Sequence, residues 1–323
     1  MQIANPIYDV VFKYLLNDSK IAKLLLSSII GEEIVELAFA PQEAVASLNA
    51  RSLTVYRVDF AATIRTRTGP KKVLIEIQKA KFASDIMRFR KYLGQQYQDG
   101  GNVYEETREG RTKKKALAIL TIYFLGYVLD EITVPVLEVN RHYRDAATKT
   151  PVENRNDFIE SLTHDCFVIQ VPYLTKQRRT ELEQILGIFD QSRSSGDGHI
   201  LAIDEAAYPK KYHGVIRRLQ QAIAEPELKK TMEIEDEVLE DLQDLERTVE
   251  RKDKAIEEKD KTIEKNRQTI EEKDKTIEEK DKALEEKDKA LEDKDKALEE
   301  RERLITELKR RLGCMRSLSN NPW

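Results

Sequence analysis

Asp59, Glu76 and Gln78 are the residues of this chain whose types and spacing suit chemistry. They sit on two runs separated by a turn. Val55 to Arg67 alternates well enough for a strand, Thr68-Gly69-Pro70 marks a turn, and Val73 to Ile77 is the apolar, β-branched run of a buried strand. Val55–Ile77 therefore reads as a hairpin. Residues i and i+2 of a strand share a face, so Glu76 and Gln78 project together with the Ile77 carbonyl between them. Pairing across the hairpin can bring Asp59 beside Glu76. Two carboxylates and a backbone carbonyl make an all-oxygen set suited to Mg²⁺ or Mn²⁺. Such a cation can activate a water and stabilise charge on a phosphate. The competing reading is a solvent-facing or salt-bridged pair of acids. Against it stands the position of Glu76, directly after Val73-Leu74-Ile75, where an ionised carboxylate is costly unless a cation meets it.

The surrounding pattern supplies a frame for that hairpin. Asn5 and Pro6 look like a cap and first-turn pair, with a helical period from Ile7 to Leu16 and a second helix from Ile21 to Ile30 ending at Gly31. Ala83 to Gln98 reads as a basic helix, Leu117 to Val128 and Cys166 to Val171 as further strands, and Lys176 to Phe189 as an amphipathic helix. Gln191–Gly198 reads as a polar linker. Strands interleaved with helices give an α/β class, a mixed central β-sheet flanked by helices. The expected divisions are 1–195 for that domain, 196–236 for a helical extension, 237–312 for a long charged helix and 313–323 for a tail.

Composition narrows the function classes. Residues 1–230 hold 33 bases against 29 acids, residues 231–250 one base against nine, and residues 251–323 balance at 21 of each. The formal net charge of −4 thus hides a mildly basic globular part, a sign that permits a nucleic-acid partner. Two distant cysteines, Cys166 and Cys314, exclude a disulfide framework or a cysteine zinc site. His164 and Cys166 read as structural. The longest apolar stretch, Ala116 to Leu129, is too short to span a bilayer, and the N-terminus lacks a secretory pattern. The expectation is a cytoplasmic protein with no membrane partner.

The succession of Asp59, a hairpin turn and Ile75-Glu76-Ile77-Gln78 resembles the D…ExQ variant of the PD-(D/E)XK nuclease signature. More narrowly it resembles the recombination-promoting nuclease, transposase-like family of that superfamily. Asp9-Val-Val-Phe12-Lys13 looks like that family's opening D-x-x-F-K, Arg88 and Tyr92 like its R-x-x-x-Y, and Glu225 to Glu237 like its acidic helical close. The resemblance spans residues 5 to about 240 and implies a restriction-endonuclease-like fold and an Mg²⁺-dependent DNA endonuclease linked to recombination or mobile elements. It implies Asp59 and Glu76 as metal ligands with the Ile77 carbonyl, and Asp9 as an auxiliary acid; a helix-start acid favoured by the dipole is the plain alternative for Asp9. Gln78 stands where most members carry a lysine. A neutral amide cannot supply that charge, and Lys79 and Lys81 point to the opposite strand face. A catalytically weak or inactive DNA-binding or scaffolding descendant is therefore the competing function.

Basic residues follow the hairpin. Arg88, Tyr92 and Gln96 share a helix face, and with Arg90 and Lys91 they could grip phosphate or form a solvated basic face. Arg108, Arg111 and Lys113-Lys114-Lys115 form a second basic run that either tracks a DNA backbone or keeps a loop soluble.

From Pro226 no Gly or Pro occurs until Gly313, and a seven-residue EEKDKAL repeat fills much of the span. Its apolar residues recur every seventh position from Leu242 to Leu312. The other seam position holds Leu245 and Leu308 at the ends and lysine, asparagine or arginine between. A two-stranded coiled coil wants apolar residues at both positions. The expectation is a coiled-coil-like helix about 115 Å long from Glu237 to Leu312, with weak self-association or a separate helical partner.

Overall fold

The computed structural model describes residues 1–39, 60–81, 85–174 and 179–318, without the side chains of 85–88, 108 and 313–318. It divides into two compact units, Met1–Asp244 and Leu245–Trp323. The boundary expected at 195/196 falls inside the first unit.

Among the described residues, the first unit is organised on a six-stranded mixed sheet. Its strands are β2 (Glu36–Phe39), β3 (Phe60–Thr66), β4 (Gly69–Gln78), β7 (Ala118–Leu125), β9 (Asp165–Gln170) and β8 (Val136–Val139), in that spatial order. The β3–β4 hairpin is antiparallel, β4–β7 and β7–β9 are parallel, and β2 and β8 close the edges antiparallel. The α/β class and mixed sheet expected from the sequence are present. In the ladder Ile75 lies beside Ile122, Ile77 beside Phe124, Ile122 beside Phe167 and Phe124 beside Ile169. These side chains share one face and form the core with α1 (Asp9–Leu16), α2 (Ser19–Ile30), α5 (Glu181–Leu186) and α6 (His213–Ala222). The Phe12 ring meets the Phe124 ring edge-on at 5.4 Å. On α1, Val11, Phe12, Leu15 and Leu16 are fully buried, each contributing about 1.5–3 kcal/mol relative to exposure.

Helix ends follow local chemistry. Asp18 caps α2 by accepting from the Lys20 and Ile21 N–H groups, and Gly31, at φ 74°, closes it in the left-handed conformation. The first helix departs from expectation. It starts at Asp9, not at Asn5-Pro6, and its N-cap position, Tyr8, gives no side-chain cap. Asn5 is buried and donates to the Gln191 side chain and the Gly198 carbonyl. The cap comes instead from Glu235, whose two carboxylate oxygens accept from the Asp9 and Val10 N–H groups at 3.0 Å each.

Other segments also differ from the sequence reading. The basic run before β7 is not a loop but the hairpin β5 (Val103–Arg108) and β6 (Arg111–Ala116). There Glu105 faces Lys114 and Glu106 faces Lys113, so cross-strand charge pairing replaces hydrophobic alternation. The helix expected over Lys176–Phe189 spans only Glu181–Leu186 in the described residues, followed by a tight helical turn at Gly187–Phe189. The polar segment 191–198 is not a loose linker: Ser194–Ser195 (β10) pairs with β11 (Ile200–Ala202), which pairs with β1 (Gln2–Ala4). The basic helix is α3 (Asp85–Gln98), and a short α4 (Asp157–Leu162) precedes β9. The long helix α7 already begins at Pro226 and runs to Leu318.

Candidate functional site

Strand alternation sorts the site residues onto two sides of β4. Glu76 and Gln78 lie on the face away from the core, where the ladder places Glu76 beside Tyr123 and Gln78 beside Leu125. Helix α3 covers this face through Phe89, whose ring meets Tyr123 edge-on at 4.6 Å. Glu76 is 2% exposed, as the sequence suggested for a carboxylate inside an apolar strand. Burial first, then the charges of Glu76 and Asp99, push the Tyr92 hydroxyl up to about 12. Burial also raises the Tyr123 hydroxyl, with Glu76 among its lesser causes. Both phenols stay protonated at neutral pH and face a carboxylate.

Gln78 is buried and held at two points. Its side-chain oxygen accepts from the Tyr127 hydroxyl at 2.8 Å, and its carbonyl accepts from the Gly126 N–H at 2.7 Å. Gly126 is constrained by that close approach, because a Cβ there would stand 2.4 Å from the Lys79 carbonyl oxygen. The loop after β7 is thereby fastened to the end of β4. Ile77 remains in the β4–β7 ladder opposite Phe124.

Asp59 lies outside the described residues. The β3–β4 ladder is described up to Phe60 beside Ile75; in sequence Asp59 precedes Phe60 and Glu76 follows Ile75. Among the described residues no group of three or more His, Cys, Asp or Glu side chains could hold a metal ion. The cation site expected from the sequence pairs Glu76 and the Ile77 carbonyl with Asp59, which lies outside the described residues. The donors it would use, two carboxylates and a main-chain carbonyl, are all oxygen and fit a hard divalent cation.

Asp9 belongs to the other side. Its carboxylate pairs with Lys13, and its Oδ1 is buried without a hydrogen-bond partner. Burial first, and then the Asp9 charge, raise the Glu235 carboxyl above its usual range, against the lowering effect of the Asp9 and Val10 N–H groups. Next to this pair, Lys79 Nζ lies 3.4 Å from the centroid of the Tyr8 ring and 2.7 Å from Asp236 Oδ1. Asp236 Oδ2 also accepts from the Tyr8 hydroxyl at 2.8 Å and lies 2.8 Å from His199 Nε2. Burial opposes ionisation of Asp236, but the hydrogen bonds from Lys79, His199 and Tyr8 hold its carboxyl below the usual range. The structure thus gathers Glu76, Gln78, Tyr92 and Tyr123 into one group. Asp9, Tyr8, Lys79, His199, Glu235 and Asp236 form a second. The sequence shows Asp9, Lys79 and the acidic stretch holding Glu235 and Asp236 singly, but not this grouping, because its members are scattered from residue 8 to residue 236.

The basic residues divide similarly. The Arg88 side chain lies outside the described residues, Arg90 and Lys91 are exposed on α3, and Tyr92 is half-buried toward Glu76 rather than on an open face. Gln96 is occupied by the Asn102 side chain, which donates to its carbonyl at 2.8 Å. Lys113 and Lys114 are exposed on β6, while Lys115 pairs with Glu106 and Asp157 at 2.7 and 2.6 Å. His164 accepts or donates to the Tyr97 hydroxyl at 3.0 Å, and burial first raises the Cys166 thiol. No described helix is long and apolar enough to cross a membrane.

No family model, curated protein or solved structure matches this chain.

Proposed function

We propose that the chain is a divalent-metal-dependent DNA endonuclease, with Asp59, Glu76 and the Ile77 carbonyl holding Mg²⁺ or Mn²⁺ and Gln78 beside them. The observation that carries this reading is the near-complete burial of the Glu76 carboxylate on a central strand, on the same face as Gln78. When bound, the cation would lower the pKa of a coordinated water and offset charge on the phosphate. The protein's own contribution is positional. Gly126 and Tyr127 fix Gln78 so that its amide can orient a water or a phosphate oxygen, and α3 and the aromatic rings of Phe89 and Tyr123 keep the strand end dry. Arg88, Arg90 and Lys91 would meet the DNA backbone from α3, with Lys113 and Lys114 as a second contact. Asp9 would serve as an auxiliary acid at the start of α1, beside Lys13 and Glu235. The resemblance to recombination nucleases points to work in the cytoplasm on a mobile element or a recombining duplex.

One observation favours a second reading, a DNA-binding protein with weak or no catalysis. Gln78 cannot supply a lysine's charge, and the neighbouring Lys79 is committed to Asp236 and the Tyr8 ring. A plasmid-nicking assay with Mg²⁺ and then Mn²⁺ separates the two. Cleavage by the wild-type chain that disappears in Glu76→Ala supports the nuclease. Metal-independent DNA binding without cleavage by either chain supports the alternative.

A further inference from the structure

From Ile256 to Leu298, in the second unit, every apolar residue of the seven-residue repeat is more than half exposed. With that residue at position a, the repeat mostly reads Glu at b and c, Lys at d, Asp at e, Lys at f and Ala or Thr at g, with Lys265 and Asp293 at c and Gln268 at f as departures. On a helix a side chain meets those three and four places away and not its immediate neighbour. Glu at b and Lys at f satisfy this rule, and four such pairs form. Glu250–Lys254 stands at 3.5 Å, Glu257–Lys261 at 2.8 Å, Glu285–Lys289 at 3.7 Å and Glu292–Lys296 at 3.0 Å.

The d and e charges have no such recourse. Three and four places from Lys280 stand Thr276, Ile277, Ala283 and Leu284; around Asp281 stand Ile277, Glu278, Leu284 and Glu285. Each lysine at d finds only apolar or small residues, and each aspartate at e finds only seam residues and like charges. The same holds at Lys252-Asp253, Lys259-Asp260, Lys273-Asp274, Lys287-Asp288 and Lys294-Asp295. The single break is Asn266-Arg267, and there the arginine at e does find a partner on its own helix, Glu271 at 3.5 Å. The outward charges thus have partners of opposite sign within reach on the same helix, whereas the charges flanking the seam have them only outside it.

We infer that this face docks a second copy of the chain, parallel and in register, with each lysine at d bridged to the aspartate at e of the other strand. In a parallel two-stranded coil the hole that receives a d side chain is bordered by the partner's e residue. The lysine stem covers the Ile and Leu seam while its ammonium reaches that aspartate. Viewed d against d alone, the lysine layers oppose pairing; with e included, each heptad is neutral across the interface. Asn266 strengthens the assignment of direction. In register it meets its own copy, and a carboxamide, with both donor and acceptor, complements itself. An antiparallel partner would place it against an apolar a residue.

The test uses the full chain with Cys166→Ser and Cys314→Ser. Sedimentation should show a dimer that weakens by about tenfold or more when ionic strength rises from about 0.1 M to about 1 M. Asn266→Cys should cross-link into a covalent dimer on mild oxidation, whereas Lys275→Cys, on the outer face, should not. A variant with Lys273, Lys280, Lys287 and Lys294 changed to Glu should be monomeric alone. So should one with Asp274, Asp281, Asp288 and Asp295 changed to Lys. An equimolar mixture of the two should recover a one-to-one dimer. Circular dichroism should show both variants still helical. A monomeric wild-type chain, absence of the Asn266→Cys cross-link, or a mixture that stays monomeric overturns the proposal.

Discussion

The Glu235 carboxylate caps the helix that begins at Asp9, although the two residues are 226 positions apart. Helix starts expose backbone N–H groups that a nearby Ser, Thr, Asp or Asn usually satisfies. Here both oxygens of one distant side chain accept two of those donors, and the negative charge sits at the positive end of the helix. The first turns of α7 therefore hold α1 in place.

Glu235→Ala should destabilise the protein by about 1–2 kcal/mol, the range for losing a helix cap. Burial of the carboxylate, which raises Glu235, offsets part of the lost hydrogen bonding and keeps the effect at the lower end. Urea unfolding of the full chain checks this. An unchanged midpoint would mean that the cap contributes nothing net.

Asp236 and Glu235 should respond to pH with opposite signs. Asp236 has a lowered carboxyl in the folded protein, so its stabilisation is complete above the usual aspartate value and disappears as pH falls through the depressed one. Glu235 has a raised carboxyl, so its contribution is greatest below the usual glutamate value and is lost as pH rises through the raised one. Asp236→Asn should therefore flatten the fall in stability on the acid side, measured as unfolding free energy against pH. Parallel curves for the variant and wild type would refute the assignment.

Cation binding at Glu76 can be read without turnover. Mg²⁺ at about a hundredfold above its dissociation constant should stabilise the wild-type chain by about 2.7 kcal/mol. Glu76→Gln keeps the shape and removes the charge, so its melting temperature should not respond to Mg²⁺. Asp59→Asn should behave in the same way. Equal stabilisation of wild type and both variants would place the cation elsewhere.

Arg88→Ala and Arg90→Ala should each weaken duplex DNA binding and lower the slope of log affinity against log salt by about one phosphate contact. Fluorescence anisotropy over a salt series gives that slope. A slope identical to wild type would return α3 to a solvated basic face.

The elements that carried strong local signals were legible in the sequence. The β-branched run at Val73–Ile77, the Thr68-Gly69-Pro70 turn and the Gly31 stop correspond to β4, the β3–β4 turn and the end of α2. The burial of Glu76 followed from its apolar neighbours. What escaped depended on partners distant in sequence. Strands of two or three residues, such as β1 and β10, carry no periodicity to detect. The β5–β6 hairpin is held by facing acids and bases, so its lysines read as a loop. Asn5 had the residue type of a cap, yet its side chain is drawn to Gln191 and Gly198, and α1 begins four residues later.

The pairing of β1 with β11 bears on how the chain is made. Gln2 lies beside Ala202 and Ala4 beside Ile200. A ribosome adding about 5–20 residues per second delivers β11 roughly 10–40 s after β1. Through that interval β1 has an open edge, and the first turn of α1 waits longer still for Glu235. The Met1–Asp244 unit thus cannot close progressively from its N-terminus. Nascent chains arrested before residue 200 should expose the apolar face of α1 to chaperones and proteases, and chains arrested with Glu235 free of the ribosome should abruptly lose that sensitivity.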